Sequence, residues 1–137
     1  MSDKVLDSYA LLAYFRGETE GTAVRGLLEK AGTTDRHLHM TEVNYAEVKY
    51  IVTRKDGAAA WEQTARIMEA LPIEFHPADR RLADLAADFK ARFALSLADC
   101  FAAALAFHRH AVLVTGDPEF KAVEKEIKIQ WLDAGRG

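Results

Sequence analysis

Four carboxylates stand where types and spacing allow joint chemistry: Asp7, Glu47, Asp99 and Asp117. Asp7 ends the short strand Lys4-Val5-Leu6. Asp117 follows the apolar run Ala111-Val112-Leu113-Val114-Thr115 after a single glycine. Glu47 lies four residues after Val43 and four before Ile51, so on a helix it projects into a stripe of Val43, Ala46, Tyr50 and Ile51. Asp99 shares a helical face with Ala102, Ala103 and Ala106, small residues that suit close packing and turn the acid inward. Each has an ordinary alternative. Asp7 suits a helix N-cap, and Glu47 suits an ion pair with a basic neighbour. Ser96-x-x-Asp99 resembles a capping box. Asp117-Pro118-Glu119 has the form of a helix start, with a capping acid and proline at the first helical position. Gathered in one place, unpaired like charges would raise each other's pKa, and a divalent cation resolves that repulsion. No Cys/His spacing for zinc accompanies them. An oxygen-only donor set suits Mg2+ or Mn2+, and such ions on carboxylates serve phosphoryl chemistry.

The elements that must position these acids alternate along the chain. Lys4 to Leu6 reads as a strand, followed by a helix from Ala10 to Arg16 and a break at Gly17. Glu20 to Ala31 reads as a helix with Ala23, Val24, Leu27, Leu28 and Ala31 on one face. Arg36 to Met40 reads as a strand, and Thr41 caps a helix reaching about Arg54. Gly57 breaks the pattern before a helix from Ala58 to Leu71, striped by Trp61, Ala65, Met68 and Leu71 and stopped by Pro72. Ile73 to Phe75 reads as a strand. Leu82, Leu85, Ala86, Phe89 and Phe93 mark an amphipathic helix with Asp84, Asp88 and Lys90 outward. Ser96 opens a helix through about His108. Ala111 to Thr115 reads as a strand buried on both faces, Pro118 to Glu126 as helical, and Ile127 to Leu132 as a last strand. Alternation of this kind predicts an α/β fold with a short, mostly parallel central sheet flanked by helices. Sites in such sheets form beyond the carboxyl ends of the strands.

A chain of 137 residues is one domain's worth, so a single domain over 1–137 is expected. Half of the residues are hydrophobic and 28% are charged, the balance of an ordinary globular protein rather than a disordered chain. Apolar stretches such as Ala102 to Phe107 fall far short of a membrane span. The opening Met-Ser-Asp-Lys-Val-Leu lacks a basic region leading into an apolar run, so no signal peptide is expected. The lone Cys100 excludes a disulfide framework, and a cytoplasmic location is expected. A net charge of -3 argues against a wide phosphate-gripping track, although a metal-holding site can still attract a phosphate backbone. Neither GxGxxG nor GxxxxGK[ST] occurs. His37 and His39 alternate along a strand as surface or edge positions, His76 precedes Pro77 in a loop, and His108 and His110 close a helix. Cys100 reads as a small packing residue.

Val5-Leu6-Asp7-Ser8 before Ala10-Leu11-Leu12-Ala13 resembles the opening of the PIN domain, named for the PilT N-terminus. Ala46-Glu47-Val48-Lys49-Tyr50 is similar to its second acidic motif. Ser96-Leu97-Ala98-Asp99 with Ala102-Ala103-Ala104 resembles its third, and Leu113-Val114-Thr115-Gly116-Asp117 with Phe120 its fourth. The resemblance runs from about Val5 to Leu132, and the short form is most similar to the VapC-type toxins of prokaryotic toxin–antitoxin pairs. It implies a PIN-like domain and a Mg2+- or Mn2+-dependent endoribonuclease acting on an RNA substrate. It implies that Asp7, Glu47, Asp99 and Asp117 form the acidic cluster, with Asp7 and Asp99 the principal metal ligands and Glu47 and Asp117 binding directly or through water. Ser8 and Thr115 would hydrogen-bond this shell or the phosphate, and Lys49, Arg54 and Lys55 are candidates for phosphate contacts. It also implies a homodimer and a cognate antitoxin protein whose tail blocks the site. Two positions depart from the family pattern. Tyr9 stands where a small hydroxyl or amide residue is usual and would narrow the approach, and Cys100 replaces a common alanine.

The adjacent Tyr14 and Phe15 and the large groups of the Trp61 helix offer apolar surface that a twofold interface would cover. Three alternatives stay open at this level. One is a catalytically weak PIN-like module that binds RNA or a partner; the presence of all four acids argues against such decay. A DxDxT phosphatase needs a second Asp where Tyr9 stands. A phospho-acceptor receiver wants a Lys beyond a late strand, and Val114-Thr115-Gly116-Asp117 offers none.

Overall fold

In the computed structural model, which describes residues 3–34 and 36–132, short apolar strings form five strands and the periodic segments between them form helices. The order is β1 (Lys4–Leu6), α1 (Ser8–Phe15), α2 (Gly21–Thr33), β2 (Leu38–Thr41), α3 (Glu42–Asp56), α4 (Ala58–Ala70), β3 (Ile73–His76), α5 (Arg80–Arg92), α6 (Leu97–Arg109), β4 (Val112–Thr115), a 3₁₀ turn (Pro118–Val123) and β5 (Lys128–Trp131). All four strand pairings are parallel, in the order β3-β2-β1-β4-β5. The chain therefore lays β2 and β3 to one side of β1, then crosses to lay β4 and β5 on the other. That reversal opens a crevice at the carboxyl ends of β1 and β4.

Side chains along a strand alternate between faces, and here the alternation sorts the core. Val5 and Leu113 pack into one cluster with α5 and α6 residues such as Ala86, Phe89, Ala103 and Leu105. Their neighbours Leu6 and Val114 pack on the opposite face with Leu11, Val24, Val48 and Trp61. Apolar residues on successive strand positions thus mean burial on both faces. No single helix among the described residues is long and apolar enough to cross a membrane.

Most expected elements form, and the differences have identifiable causes. Helix α3 does bury one face, but that face is Asn44, Val48 and Val52, while Ala46 and Tyr50 are exposed. The helix is rotated because Asn44 is useful inside: its side-chain amide donates to Ala98 O at 3.3 Å and its Oδ1 accepts from Thr41 Oγ1 at 2.5 Å. Glu47 consequently lies half-buried at the margin of the core rather than within an apolar stripe. On α2, Ala23 is exposed, while Val24, Leu28 and Ala31 are buried. The helical segment after Asp117 is a tight 3₁₀ turn that ends at Val123, short of Glu126. His39 is also not a surface position: it is 5% exposed, while His37 is exposed. Between α3 and α4 only Gly57 intervenes, at φ 93°, a left-handed conformation that a side chain would strain. Trp61 points inward, edge-on to Tyr45, and on α4 it is Ile67 that faces solvent.

Candidate active site

The four sequence-predicted acids come from four separate segments, and the topology brings them to one edge of the sheet. Asp7 ends β1 and is 1% exposed. It does cap α1, since Oδ1 accepts from the Ala10 backbone N–H at 2.9 Å. Its other oxygen accepts from Thr115 Oγ1 at 2.5 Å. Because Leu6 pairs with Val114, the next residues along each strand, Asp7 and Thr115, meet across the crevice. Cap and site are therefore two uses of one carboxylate.

Thr115 links further. Its hydroxyl oxygen accepts from the Asp117 backbone N–H at 3.0 Å, which folds the chain back as it leaves β4. Asp117 then accepts from the Glu119 backbone N–H at 3.0 Å and starts the 3₁₀ turn, with Pro118 next in the chain. Asp99, 8% exposed, sits in the first turn of α6, where Ser96 Oγ accepts from its backbone N–H at 3.1 Å. Glu47 accepts a hydrogen bond from Ser8 Oγ, so α3 is tied to the start of α1.

Asp99, Asp117 and Glu119 each offer a carboxylate oxygen, and the three atoms lie within 4.8 Å of one another. Glu119 was absent from the expected set, because an acid after Asp-Pro is indistinguishable in sequence from one that complements a helix dipole. Burial, above all, pushes the Asp7 carboxyl up to about 7, against the hydrogen bonds from Thr115 and Ala10 and with added repulsion from Asp99 and Asp117. Burial and then the charges of Asp117 and Glu47 push Asp99 up to about 6. The donor set is oxygen-only and carries uncompensated negative charge. It fits a hard divalent cation.

Tyr9 lies against this edge in a defined place. Its hydroxyl donates to Glu20 Oε1 at 2.9 Å. A Cβ added at Gly116 would collide with Tyr9 Cε1 and Glu20 Oε2, so glycine lets the ring close over the backbone beside Asp117. Burial and the Glu20 carboxylate raise the Tyr9 hydroxyl to about 12, so it stays a proton donor. The basic candidates are not gathered here. Lys49 is two residues from Glu47, about 200° around the helix, and its Nζ lies 5.9 Å from the Trp61 ring centroid. Arg54 lies over Tyr50, and Lys55 is exposed near the far end of α3. Burial also lowers His39 and His76 below the ordinary imidazole range.

The raised carboxyls fix the sign of a pH effect. Between pH 4 and 7 the folded chain keeps protons on Asp7 and Asp99 that the unfolded chain has released. Their contribution to stability is full below about pH 4 and is lost as pH rises through about 6 and 7. A cation that replaces those protons offsets the loss. The gain in thermal midpoint on adding Mg2+ to chelator-treated protein is expected to grow steadily from pH 5 to pH 8. A gain that is equal at both ends of that range would show that the acids do not hold the ion.

A family model, the PIN domain, matches residues 4–126. A search of curated proteins finds no match. Among solved structures, the fold is similar to that of DNA-bound VapBC from Salmonella typhimurium, with a TM-score of 0.76 at 16% identity over 97% of this chain and 100% of that one. It is similar to VapBC2 from Rickettsia felis bound to a promoter DNA fragment, with a TM-score of 0.72 at 15% identity over 95% and 98% of the two chains. It is also similar to Mycobacterium tuberculosis VapC20, a sarcin–ricin loop cleaving toxin, with a TM-score of 0.68 at 16% identity over 88% and 95%.

Proposed function

The chain belongs to the PIN domain family, and from that membership we propose that it is a Mg2+- or Mn2+-dependent endoribonuclease, the toxin of a type II toxin–antitoxin pair. The observation that carries this is the convergence of Asp99, Asp117 and Glu119 beside the buried Asp7. Similarity to VapBC structures, and to a toxin that cleaves the sarcin–ricin loop, supports the toxin role. Asp7, Glu47, Asp99 and Asp117 hold the cation directly or through water, and Glu119 joins them. When bound, that cation shields the phosphate charge and favours ionisation of a water.

The chain's own residues do the rest. Thr115 fixes Asp7 by donating to one oxygen while Ala10 N–H holds the other. Ser8 engages Oε1 of Glu47, which leaves Oε2 as the acceptor for the proton of the attacking water. Tyr9, pinned to Glu20, walls one side and narrows the approach to a single strand. Lys49, Arg54 and Lys55, on the exposed side of α3, meet the RNA away from the cut phosphate. A single domain spans the chain, and it acts in the cytoplasm. An antitoxin segment silences the site, an arginine matching the paired carboxylates of Asp7 and Asp99. Two copies meet through the face where Tyr14, Phe15 and Ile67 line one depression, with Ile67 48% exposed.

The test is incubation of the purified chain with RNA. Cleavage is expected with Mg2+ or Mn2+ and is lost in excess chelator. Undiminished cleavage in chelator would sink the mechanism. Tight RNA retention with no cleavage under any divalent ion would favour a binding module instead.

A further inference from the structure

A second group of ligand atoms lies outside the acidic edge. His39 on β2 pairs in register with Glu74 on β3. His76 is two residues beyond Glu74 and so shares its face of the strand. His39 Nδ1 is 2.9 Å from His76 Nε2, His76 Nε2 is 3.2 Å from Glu74 Oε2, and His39 Nδ1 is 4.0 Å from that same oxygen. Ligand atoms held 2.0–2.1 Å from a tetrahedral ion stand roughly 3.3 Å apart. The three separations bracket that value, so a small shift of the exposed Glu74 side chain completes the triangle.

A second observation points the same way. The other nitrogen of His39, Nε2, faces Asp3 Oδ2 at 3.6 Å. Arg109 Nη2 donates to that same carboxylate oxygen at 2.9 Å. The 3.6 Å between His39 Nε2 and Asp3 is too long for a hydrogen bond, but the negative charge of Asp3 favours a proton on the ring nitrogen facing it. That tautomer would put the lone pair on Nδ1, the atom that faces His76 and Glu74. A hydrogen bond between two imidazoles needs neither Glu74 nor Asp3. A cation site uses both.

We propose that His39, Glu74 and His76 form a second cation site, for a borderline divalent ion of the Zn2+ type, with its fourth position open to solvent. Two imidazoles and one carboxylate suit Zn2+ and select against Mg2+. The Glu74 side chain is 53% exposed and provides the route of access, while that of His39, at 6%, anchors the site to the core. Since β3 is the edge strand of the sheet, the ion staples the edge to β2. Through Asp3 and Arg109 the same site reaches the end of α6.

Titration of the tag-free chain with Zn2+ tests this. The parent is expected to take up the ion at micromolar concentration. Its thermal midpoint should rise by roughly 5–10 °C at about 100-fold excess over Kd. Co2+, used as a coloured probe, should give the stronger visible absorption of a four-coordinate site. His76→Gln keeps a hydrogen-bonding group but lacks the ring nitrogen, so the four-coordinate Co2+ absorption should vanish and Zn2+ uptake and the midpoint rise should shrink, while its far-ultraviolet circular dichroism stays that of the parent. Asp99→Asn should keep both signals, which separates this site from the acidic edge. Equal Zn2+ uptake by His76→Gln, loss of uptake in Asp99→Asn, or no uptake by the parent would each overturn the proposal and leave the histidines as a shared-proton pair.

Discussion

Asp99→Asn is expected to lower RNA cleavage by at least about 10²-fold while the chain stays folded. Loss of a group that merely orients a metal ligand costs about 10–100-fold, so loss of a ligand itself costs more. The fold should hold because the cap of α6 does not use the Asp99 side chain. Ser96 Oγ accepts from the backbone N–H, which asparagine keeps. The substitution also removes a charge that burial, Asp117 and Glu47 all disfavour. The metal-free thermal midpoint should therefore hold or rise, while Mg2+ affinity falls in parallel with activity. Two results would defeat this expectation. Parental activity would reduce Asp99 to a residue of a capped helix start. Unfolding would mean a buried ion pair, whose breakage costs about 3–5 kcal/mol.

Phe120→Ala is expected to destabilise the chain by about 3–5 kcal/mol, or roughly 10–15 °C of thermal midpoint. Phe120 is fully buried and packs among α6 and β4 residues. It also sits inside the 3₁₀ turn that begins at Asp117 and carries Glu119. Its ring is the anchor from which those two carboxylates are hung. Emptying that place should loosen their spacing, so Mg2+ affinity should fall even well below the melting temperature. The same truncation at Phe107, which is 46% exposed and edge-on to Phe89, serves as the control. It should cost far less and leave Mg2+ affinity alone. Equal costs at the two positions would mean that the turn does not depend on the core beneath it.

Much of this arrangement was legible because the acids follow local patterns. Asp7 ends a short strand, and Asp117 follows an apolar run that marks a strand buried on both faces. The PIN-like spacing then ordered all four acids. What escaped depended on contacts between distant segments. Asn44 is polar, so the apolar pattern placed the buried face of α3 on Ala46 and Tyr50. In the fold its amide reaches Ala98, a contact across 54 residues. His39 looked like an edge position because only the register of β2 against β3 reveals its partners. Tyr9 departs from the family pattern, and only the fold shows that Gly116 makes room for its ring and Glu20 holds its hydroxyl. Glu119 was hidden by its resemblance to a helix-start acid. The sequence shows a helical start at Asp117 but not its 3₁₀ form, because Asp-Pro-Glu opens both kinds of helix alike.

The pairing of β1 with β4 also governs when activity can first exist during synthesis. Asp7 and Thr115 are 108 residues apart, and β1 acquires its second neighbour only when β4 arrives. A ribosome adding about 5–20 residues per second takes several seconds between the two. Throughout that interval the nascent chain carries Asp7, Glu47 and eventually Asp99 but lacks Thr115, Asp117 and Glu119. Every fragment stopped short of β4 therefore lacks the complete acidic edge. On the proposed function, the centre is thereby withheld from the ribosome and message producing the chain until β4 is in place.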